Sequence, residues 1–305
     1  MCIVFMGTPA FAVSVLRRLV EDHWDVVAAY TQPDKPKNRG MKLIPTPVKE
    51  YAVTQNIPVY QPQSCRDEAV LEELRSLEPD VIVVAAYGKL LPQSLLDIPK
   101  TAIINVHSSL LPQYRGAAPI NWAVLNGDEE TGVTIQYMAS ELDAGDILLT
   151  KKTAIDPRED AGQLYDRLAE LGGEAASEAL SLLDRGEAPR TPQVYGPQYQ
   201  YAPMLSREMS PLDWAKPAQA LVNQVRGLIP WPCATTDVAG TRWKVFRAHV
   251  GDATAKAPGT ILSADKKGIA IACGDGKSLV ITELQADGGK RMAAADYLRG
   301  HPIQL

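Results

Sequence analysis

Two polar side chains interrupt an apolar run near the middle of the chain, and both are suited to acyl-transfer chemistry. The run Ile103-Ile104-Asn105-Val106-His107 is typical of a buried strand, and Asn105 and His107 lie two residues apart in it. Their side chains therefore leave the same side of the pleat. In open α/β sheets, ligands bind beyond the carboxyl ends of the strands, where this pair is expected. The sequence thus predicts a functional site at the end of this strand.

Downstream, the stretch Leu142-Asp143-Ala144-Gly145-Asp146 forms an acidic, glycine-containing loop between two predicted strands. Such a loop can bring Asp143 to His107. An asparagine amide can donate to a developing oxyanion, a histidine can relay a proton, and an aspartate can fix the imidazole tautomer. A lone histidine at a strand end is more often a hydrogen-bonded core residue, but the three residue types together favour acyl transfer to an amine. We interpret Asp146 as a turn residue.

The elements that must position these groups alternate strand and helix over the first 150 residues. Helices are predicted over residues 11–21 and 157–183, the second with Asp156 as its N-cap, Pro157 at its first position and Glu159 completing the cap. Strands are predicted over residues 3–6, 26–31, 81–86, 102–107, 133–138 and 147–150. Continuous apolar runs separated by helices predict an α/β fold, a Rossmann-like and mainly parallel sheet with helices on both faces.

The remaining third of the chain has a different pattern. Residues 186–203 are rich in Pro, Gln, Tyr and Gly, which predicts a surface linker, placed at residues 189–206 between a catalytic domain of residues 1–188 and a tail domain of residues 207–305. Short strands and turns in the tail, after a partly helical stretch at residues 206–227, predict a small, OB-like β-barrel. Residues 1–205 carry a net charge of -9 and residues 206–305 one of +4, so the tail is the part suited to a polyanionic partner.

Several classes of function are disfavoured by the same sequence. The four cysteines are far apart with no CxxC pair, so neither a zinc site nor a disulfide framework is expected, and no metal is assigned. Apolar runs are too short for a membrane span and no leader peptide is recognised, so a cytoplasmic protein without membrane contact is expected. Gly7-Thr8-Pro9 lacks the glycine spacing of a dinucleotide-binding turn, which disfavours nicotinamide chemistry.

Residues 105–112, 114–119 and 142–147 together resemble the signature of the folate-dependent formyltransferases. The resemblance implies that Asn105, His107 and Asp143 are catalytic and that the cosubstrate is 10-formyltetrahydrofolate, with no metal. It also implies a folate pocket along the Ser-Leu-Leu-Pro turn, extended by Tyr87 and Gly88 on a neighbouring loop. The turn residues are Ser109, Leu110, Leu111 and Pro112.

Other segments resemble the branch of that superfamily that formylates methionyl initiator tRNA for translation initiation. They are residues 7–11, 31–36, 45–49, 85–88, 201–206 and 230–232. In that branch the loop matching residues 32–49 reaches the tRNA acceptor stem, and this loop carries Lys35, Lys37, Arg39, Lys42 and Lys49 against Asp34 alone. The resemblance implies that Arg39 reads the end of the stem, and it implies no obligate protein partner.

Three alternatives remain open at this level. The first is a formyltransferase acting on a small amine, such as an amino sugar nucleotide or a glycinamide nucleotide, which would need neither a basic loop nor a basic tail. The second is a noncatalytic RNA-binding protein on the same scaffold, which would not need Asn105, His107 and Asp143. The third is a formyltetrahydrofolate hydrolase, in which water replaces the amine. For residues 32–49, the alternative to a tRNA-binding loop is a solvated surface loop without a binding role.

Overall fold

The computed structural model describes residues 1–37, 42–238 and 240–303, and these residues form two compact units. The first unit comprises Met1–Gly116, Thr131–Ala154 and Tyr165–Ala202. The second unit comprises Ala117–Glu130, Ile155–Leu164 and Pro203–Leu305. Within the described ranges, none of the helices is both long enough and apolar enough to cross a lipid bilayer.

Up to Ala202 the chain alternates strands and helices much as expected. The strands are β1 Cys2–Gly7, β2 Asp25–Tyr30, β3 Lys35–Lys37, β4 Lys42–Ile44, β5 Val59–Tyr60, β6 Val81–Ala85, β7 Ala102–His107, β8 Arg115–Gly116, β9 Glu130–Tyr137, β10 Ile147–Ala154 and β11 Tyr201–Ala202. The helices are α1 Ala10–Glu21, α2 Pro47–Thr54, α3 Glu68–Ser76, α4 Gln93–Leu96, α5 Pro119–Asn126 and α6 Ala161–Asp184.

Seven strands form the central sheet of the first unit, in the order β10-β9-β7-β6-β1-β2-β5. The five neighbouring strands β7, β6, β1, β2 and β5 run parallel, and β9 pairs with β7 in the antiparallel direction. The core of one face joins Val4, Met6 and Ile103 of the sheet to the buried leucines of α3 and α4. On the opposite face, Val106 of β7 lies close to α6 at Gly172. The predicted Rossmann-like sheet with helices on both faces is confirmed.

The long helix α6 begins later than predicted. Asp156 and Glu159 do pair, through a hydrogen bond from the Asp156 N–H to Glu159 Oε1 of 2.9 Å, but they close a turn and not a helix. The helix starts at Ala161, after a reciprocal pair in which the Asp160 N–H donates to Gln163 Oε1 at 3.0 Å and the Gln163 N–H donates to Asp160 Oδ1 at 2.9 Å. This is a capping box one turn further along.

The second unit is built around an antiparallel sheet, as predicted for the tail. Its strands are β12 Ala234–Val238, β13 Thr241–Ala253, β14 Ile261–Asp265, β15 Gly268–Ala272, β16 Lys277–Ala286 and β17 Met292–Ala293. A short 3-10 helix, Arg207–Met209, precedes the helices α7 Ala218–Gly227 and α8 Ala294–Gly300. The sheet order is β12-β13-β16-β15-β14, with β17 beside β16. Trp243 and Leu221 are fully buried in the core between this sheet and α7.

Residues 186–202, for which the composition predicts a surface linker, pair with strands of the first unit. The N–H of Thr191 donates to Ile147 O at 3.0 Å, and the N–H of Ile147 donates to Thr191 O at 2.8 Å. Further along, β11 pairs with β8 in the parallel direction. The segment therefore satisfies its backbone polar groups on strands of the first unit, and its irregular composition reflects single pairings too short to produce a periodic pattern.

Candidate active site

The site begins at the carboxyl end of β7. Asn105 is paired in register with Gln136 of β9, and His107 with Thr134. Asn105 and His107 share the sheet face of Ile103, as their spacing requires. His107 is buried and Asn105 is half-buried. Among the described residues, the carboxamide of Asn105 has no hydrogen-bond partner. Its N–H groups are therefore free to donate to a bound molecule.

The ring of His107 is oriented by a backbone carbonyl. Its Nε2 lies 2.9 Å from the carbonyl oxygen of Tyr114. Because a carbonyl oxygen only accepts, Nε2 must carry a hydrogen. Nδ1 is then the nitrogen that faces Asp143, at 3.6 Å from Oδ1, which is longer than a hydrogen bond. Asp143, which the sequence predicts to hold the ring, thus lies beside Nδ1, and the hydrogen bond to the ring is made by the Tyr114 carbonyl.

Asp143 is held by two donors. Its Oδ2 accepts from the Gly116 N–H at 2.9 Å and its Oδ1 accepts from Gln136 Nε2 at 3.1 Å. The side chain is 11% exposed. Asp143 itself has φ of 50°, a left-handed conformation that few residues other than glycine adopt. The turn therefore presents a fixed carboxylate to the imidazole ring.

The turn that carries Asp143 is packed tightly from behind. A Cβ atom on Gly145 would collide with the carbonyl oxygen of Tyr137, so only glycine fits there. Gln193, which lies in the segment of residues 186–202, donates through Nε2 to the carbonyl oxygens of Asp143 and Gly145 at 2.9 and 2.7 Å. Sequence reasoning missed Gln136 and Gln193. Gln136 could have been found from its position opposite Asn105 in the strand pairing. No local sequence pattern indicates Gln193.

The predicted folate turn is a hydrogen-bonded loop attached to β9. Ser109 is fully buried, and its hydroxyl donates to Gln113 O at 2.6 Å. Thr134 Oγ1 donates to Ser109 O at 2.7 Å and accepts from the Leu111 N–H at 3.1 Å. The Ser109 hydroxyl is thus used inside the turn. Leu110 and Pro112 are half-buried, and Leu111 is buried.

The loop of Tyr87 and Gly88 has a similar character. The Tyr87 ring is 2% exposed and packs in the core, and burial raises the pKa of its hydroxyl. Its carbonyl oxygen accepts from Thr8 Oγ1 at 2.9 Å and from Gln32 Nε2 at 3.1 Å, and the same Gln32 amide reaches Gly88 O at 3.1 Å. These hydrogen bonds fix the backbone of the loop. Because the Tyr87 ring is buried, its faces are not available for a ligand to stack on.

The basic loop forms a hairpin of β3 and β4, on whose strands Lys35, Lys37 and Lys42 lie. Lys35 is exposed, and Arg39 lies outside the described residues. At the base of the hairpin, Lys49 Nζ lies 2.6 Å from Asp34 Oδ2, and the hydrogen bond from Lys49 lowers the pKa of that carboxyl. Lys49 is therefore neutralised by Asp34 and adds no net charge to the hairpin.

Within the described part of the chain, no group of histidine, cysteine and carboxylate side chains is arranged to hold a metal ion. The arrangement that the first unit does offer is an amide donor, an imidazole and a fixed carboxylate at one strand end. These groups can bind and stabilise an oxyanion that forms during attack on a carbonyl carbon.

Two family models match the chain. Residues 1–180 match the formyl transferase family model, and residues 204–302 match that of the formyl transferase C-terminal domain. The methionyl-tRNA formyltransferase of Trichlorobacter lovleyi is 50% identical over 303 residues, which cover 99% of this chain and 95% of that protein.

Two solved structures share the fold. An N-formyltransferase from Helicobacter canadensis, in complex with folinic acid and dTDP-3-aminofucose, has a TM-score of 0.69 at 17% identity, covering 92% of this chain and 98% of that one. HypX from Aquifex aeolicus, in complex with tetrahydrofolic acid, has a TM-score of 0.65 at 20% identity, covering 97% of this chain. This chain spans 46% of HypX. At these identities the likeness concerns the fold alone.

Proposed function

The chain belongs to the formyl transferase family, and from that premise we propose that it transfers the formyl group of 10-formyltetrahydrofolate to the α-amino group of methionyl initiator tRNA. The amine substrate is supported by 50% identity, over 99% of the chain, to a methionyl-tRNA formyltransferase. The observation that carries the chemistry is the meeting of Asn105, His107 and Asp143 at the end of β7, with the carboxylate 3.6 Å from the imidazole.

The reaction is direct transfer between two bound substrates. The lone pair of the α-amine forms a bond to the formyl carbon, whose carbonyl oxygen becomes an oxyanion in the tetrahedral intermediate. That intermediate collapses as the bond from carbon to N10 of the folate breaks. The amine loses one proton and N10 gains one, so the products are the formylated aminoacyl ester and tetrahydrofolate. Neither a covalent bond to the enzyme nor a change of oxidation state is needed.

In this scheme Asn105 donates a hydrogen bond to the oxyanion, because its carboxamide is the unpaired donor at the strand end. Both ring nitrogens of His107 face protein oxygens, at 2.9 and 3.6 Å. Because Asn105 and His107 lie two residues apart on one sheet face, we place His107 beside Asn105, where it assists oxyanion stabilisation or proton transfer. Asp143 stabilises the positive charge that the ring carries when it is doubly protonated.

The folate is assigned to the loops that flank the strand end. Polar backbone groups of Gly88 and of the turn Ser109 to Pro112, with the half-buried Leu110 side chain, would line its slot. Tyr87 and Ser109 shape these loops from inside, since their side-chain oxygens lie 3.5 Å from Cys65 Sγ and 2.6 Å from Gln113 O. The cosubstrate therefore meets mainly backbone, and these two side chains act through the loops they hold.

The polyanionic substrate is assigned to two basic parts of the chain. One is the basic loop of residues 32–49, which carries Lys35, Lys37, Arg39 and Lys42. The other is the domain of residues 207–305, which we connect to the catalytic domain of residues 1–188 through residues 189–206. We place the protein in the cytoplasm, where translation begins. A small amino sugar substrate is disfavoured, because it would need neither basic part.

The proposal is tested by incubating the purified protein with 10-formyltetrahydrofolate and charged initiator tRNA and measuring formylmethionine after hydrolysis of the ester. We expect formylation that requires both substrates. Tight binding of the folate without formylation of the tRNA would contradict the proposed acceptor and favour a small amine. Production of formate at the same rate with and without tRNA would favour the hydrolase alternative.

Arg39 is the residue on which discrimination between tRNAs is expected to depend. A guanidinium can contact a phosphate or a base edge through a planar pair of donors, which a leucine cannot replace. Arg39→Leu is expected to raise the barrier for initiator tRNA by about 1 to 3 kcal/mol, the scale of a lost specific contact. The ratio of kcat/KM for initiator tRNA to kcat/KM for methionyl elongator tRNA should therefore fall. The measurement is kcat/KM for the two tRNAs.

Lys35→Ala is the matched control, because Lys35 is an exposed cation of the same loop of residues 32–49. A phosphate contact carries no sequence information, so this change should weaken both tRNAs evenly. Equal losses on the two tRNAs for Arg39→Leu would reduce Arg39 to a nonspecific contact. Unchanged kcat/KM for both tRNAs in Arg39→Leu and in Lys35→Ala would exclude a role of the basic loop in tRNA recognition.

A further inference from the structure

Gln193, from outside the catalytic motifs, makes five polar contacts through its side chain, three with the catalytic turn and Gln136 and two with Arg115. The Nε2 of Gln193 donates to Asp143 O at 2.9 Å and to Gly145 O at 2.7 Å, and lies 3.2 Å from Gln136 Oε1. Its Oε1 accepts from Arg115 Nε at 3.1 Å and from Arg115 Nη2 at 2.9 Å.

The orientation of this amide is fixed by its surroundings. A guanidinium has no acceptor and a backbone carbonyl has no donor, so the oxygen of Gln193 must face Arg115 and its NH₂ group must face the turn. The two hydrogens of that group match the two shorter contacts, to the carbonyls of Asp143 and Gly145. The Gln136 contact, at 3.2 Å, is the weaker third. A residue with only donors or only acceptors cannot reproduce this pattern.

The turn needs such support because its own conformation is unfavourable. Asp143 has φ of 50°, which non-glycine residues adopt rarely, and Gly145 lies directly against the Tyr137 carbonyl. The carbonyl oxygens of Asp143 and Gly145 find a donor in Gln193 Nε2. Without that donor, the turn loses two backbone hydrogen bonds behind Asp143, and the carboxylate is then held only by its own contacts with the Gly116 N–H and Gln136.

Arg115, on the other side of Gln193, is itself held in place. It is buried, its Nη1 lies 3.5 Å from Glu141 Oε1, and its guanidinium stacks 4.5 Å from the centre of the Tyr195 ring. Gly116, the next residue, donates its N–H to Asp143 Oδ2 at 2.9 Å. Gln193 thus joins both sides of the Asp143 turn, through the carbonyls on one side and through Arg115 on the other.

We propose that Gln193 is a positioning residue for formyl transfer, which sets the Asp143 carboxylate opposite His107 by holding the carbonyl oxygens of Asp143 and Gly145. This inference rests on the proposed function, because it concerns the rate of the same reaction. In this role Gln193 acts through the turn and Arg115, which are its hydrogen-bond partners with Gln136, and not on the substrates. Its loss should therefore reduce turnover and leave the binding of both substrates nearly unchanged.

Two variants separate the two halves of the Gln193 side chain. Gln193→Met keeps the length and loses all hydrogen bonds. Gln193→Glu keeps the acceptor for Arg115 but loses the donors to the turn. Each is expected to lower kcat by about 10- to 100-fold, the scale for residues that orient a reacting group. KM for tRNA and Kd for folate should stay within about threefold. Gln198→Met is the matched control, because Gln198 is an exposed glutamine of the same segment.

A second measurement is independent of activity. In protein labelled with ¹⁵N histidine, the ring signals of His107 should shift in both Gln193 variants and stay in place in Gln198→Met, because moving Asp143 changes the field at Nδ1. Thermal unfolding and folate binding by each variant show whether it is folded. If Gln193→Met fails to fold, Gln193→Glu, which retains the Arg115 contact, carries the test.

The outcomes distinguish this inference from the proposed function. Wild-type protein that binds folate but does not formylate tRNA contradicts the proposed function, and the histidine signals then still test the positioning role. Active wild-type protein with kcat within twofold in both variants, or with unshifted His107 signals, overturns the role of Gln193. Normal turnover in Gln193→Glu alone would also overturn it, because the Arg115 contact would then be sufficient.

Discussion

Asn105→Ala is expected to lower kcat by about 100- to 1000-fold, the usual effect of removing one oxyanion donor. The loss should appear in kcat and kcat/KM alike, because the donor acts on charge that develops only in the transition state. Among the described residues, the carboxamide has no partner in the protein, so its removal breaks no existing hydrogen bond. The midpoint of thermal unfolding and the Kd for folate should therefore remain near their wild-type values.

Asn105→Asp provides a sharper version of the same test. It keeps the shape of the side chain, replaces a donor with an acceptor and adds negative charge beside the oxyanion, so it should be at least as inactive as Asn105→Ala. Asn121→Ala is the control, because the Asn121 amide donates to Gly227 O, at 2.8 Å, in the second unit. Turnover by Asn105→Ala within tenfold of wild type would exclude the oxyanion role.

The sequence predicted the main elements of the first unit because its buried strands are continuous apolar runs. The predicted strands at residues 3–6, 81–86 and 102–107 correspond closely to β1, β6 and β7. The two-residue strands β5, β8 and β11 were missed, because two residues cannot show a period. The antiparallel direction of β9 against β7 was also not predicted, since an apolar run has the same composition in either direction.

The start of α6 shows how a correct local pattern can predict the wrong boundary. Asp156 with Glu159 and Asp160 with Gln163 are two overlapping capping patterns, and both form their hydrogen bonds. The first closes a turn that receives Arg226 of α7, whose Nη1 donates to Glu159 O at 3.0 Å. A tertiary contact thus uses a carbonyl in this turn, and no pattern within residues 156–163 reports it.

The candidate site was predictable to the extent that it depends on spacing. Asn105 and His107 share a face because they are two residues apart, and Asp143 reaches them because its loop joins neighbouring strands. The contacts that fix these groups were not predictable. The ring of His107 is oriented by the carbonyl of Tyr114, a group that every residue has, and the Asp143 turn is held by Gln193, 50 residues further along the chain.

Asp143→Asn is expected to lower kcat by about 1000- to 10,000-fold, as when a carboxylate that faces a catalytic histidine becomes an amide. The carboxylate accepts from the Gly116 N–H through one oxygen and from Gln136 Nε2 through the other. An asparagine has one oxygen, so its NH₂ group would face a donor on one of these two sides. The change removes the charge opposite His107 and also leaves a buried donor without a partner. The rate constant of a single turnover and the midpoint of thermal unfolding should therefore both be measured.

Asp146→Asn is the matched control, because it makes the same chemical change in the same turn. Asp146 takes part in the backbone pairing of the turn through its carbonyl oxygen, which accepts from the Tyr137 N–H at 2.9 Å, and an asparagine retains that carbonyl. Turnover by Asp146→Asn should stay within about threefold of wild type, because Asp146 is half-buried and the change keeps the size of its side chain. If Asp143→Asn turned over normally while Asp146→Asn lost activity, the carboxylate that serves His107 would be Asp146. Equal losses in both variants, with lowered unfolding midpoints, would instead mean that the turn needs its two acids for stability, and the charge opposite the imidazole would not explain the rate.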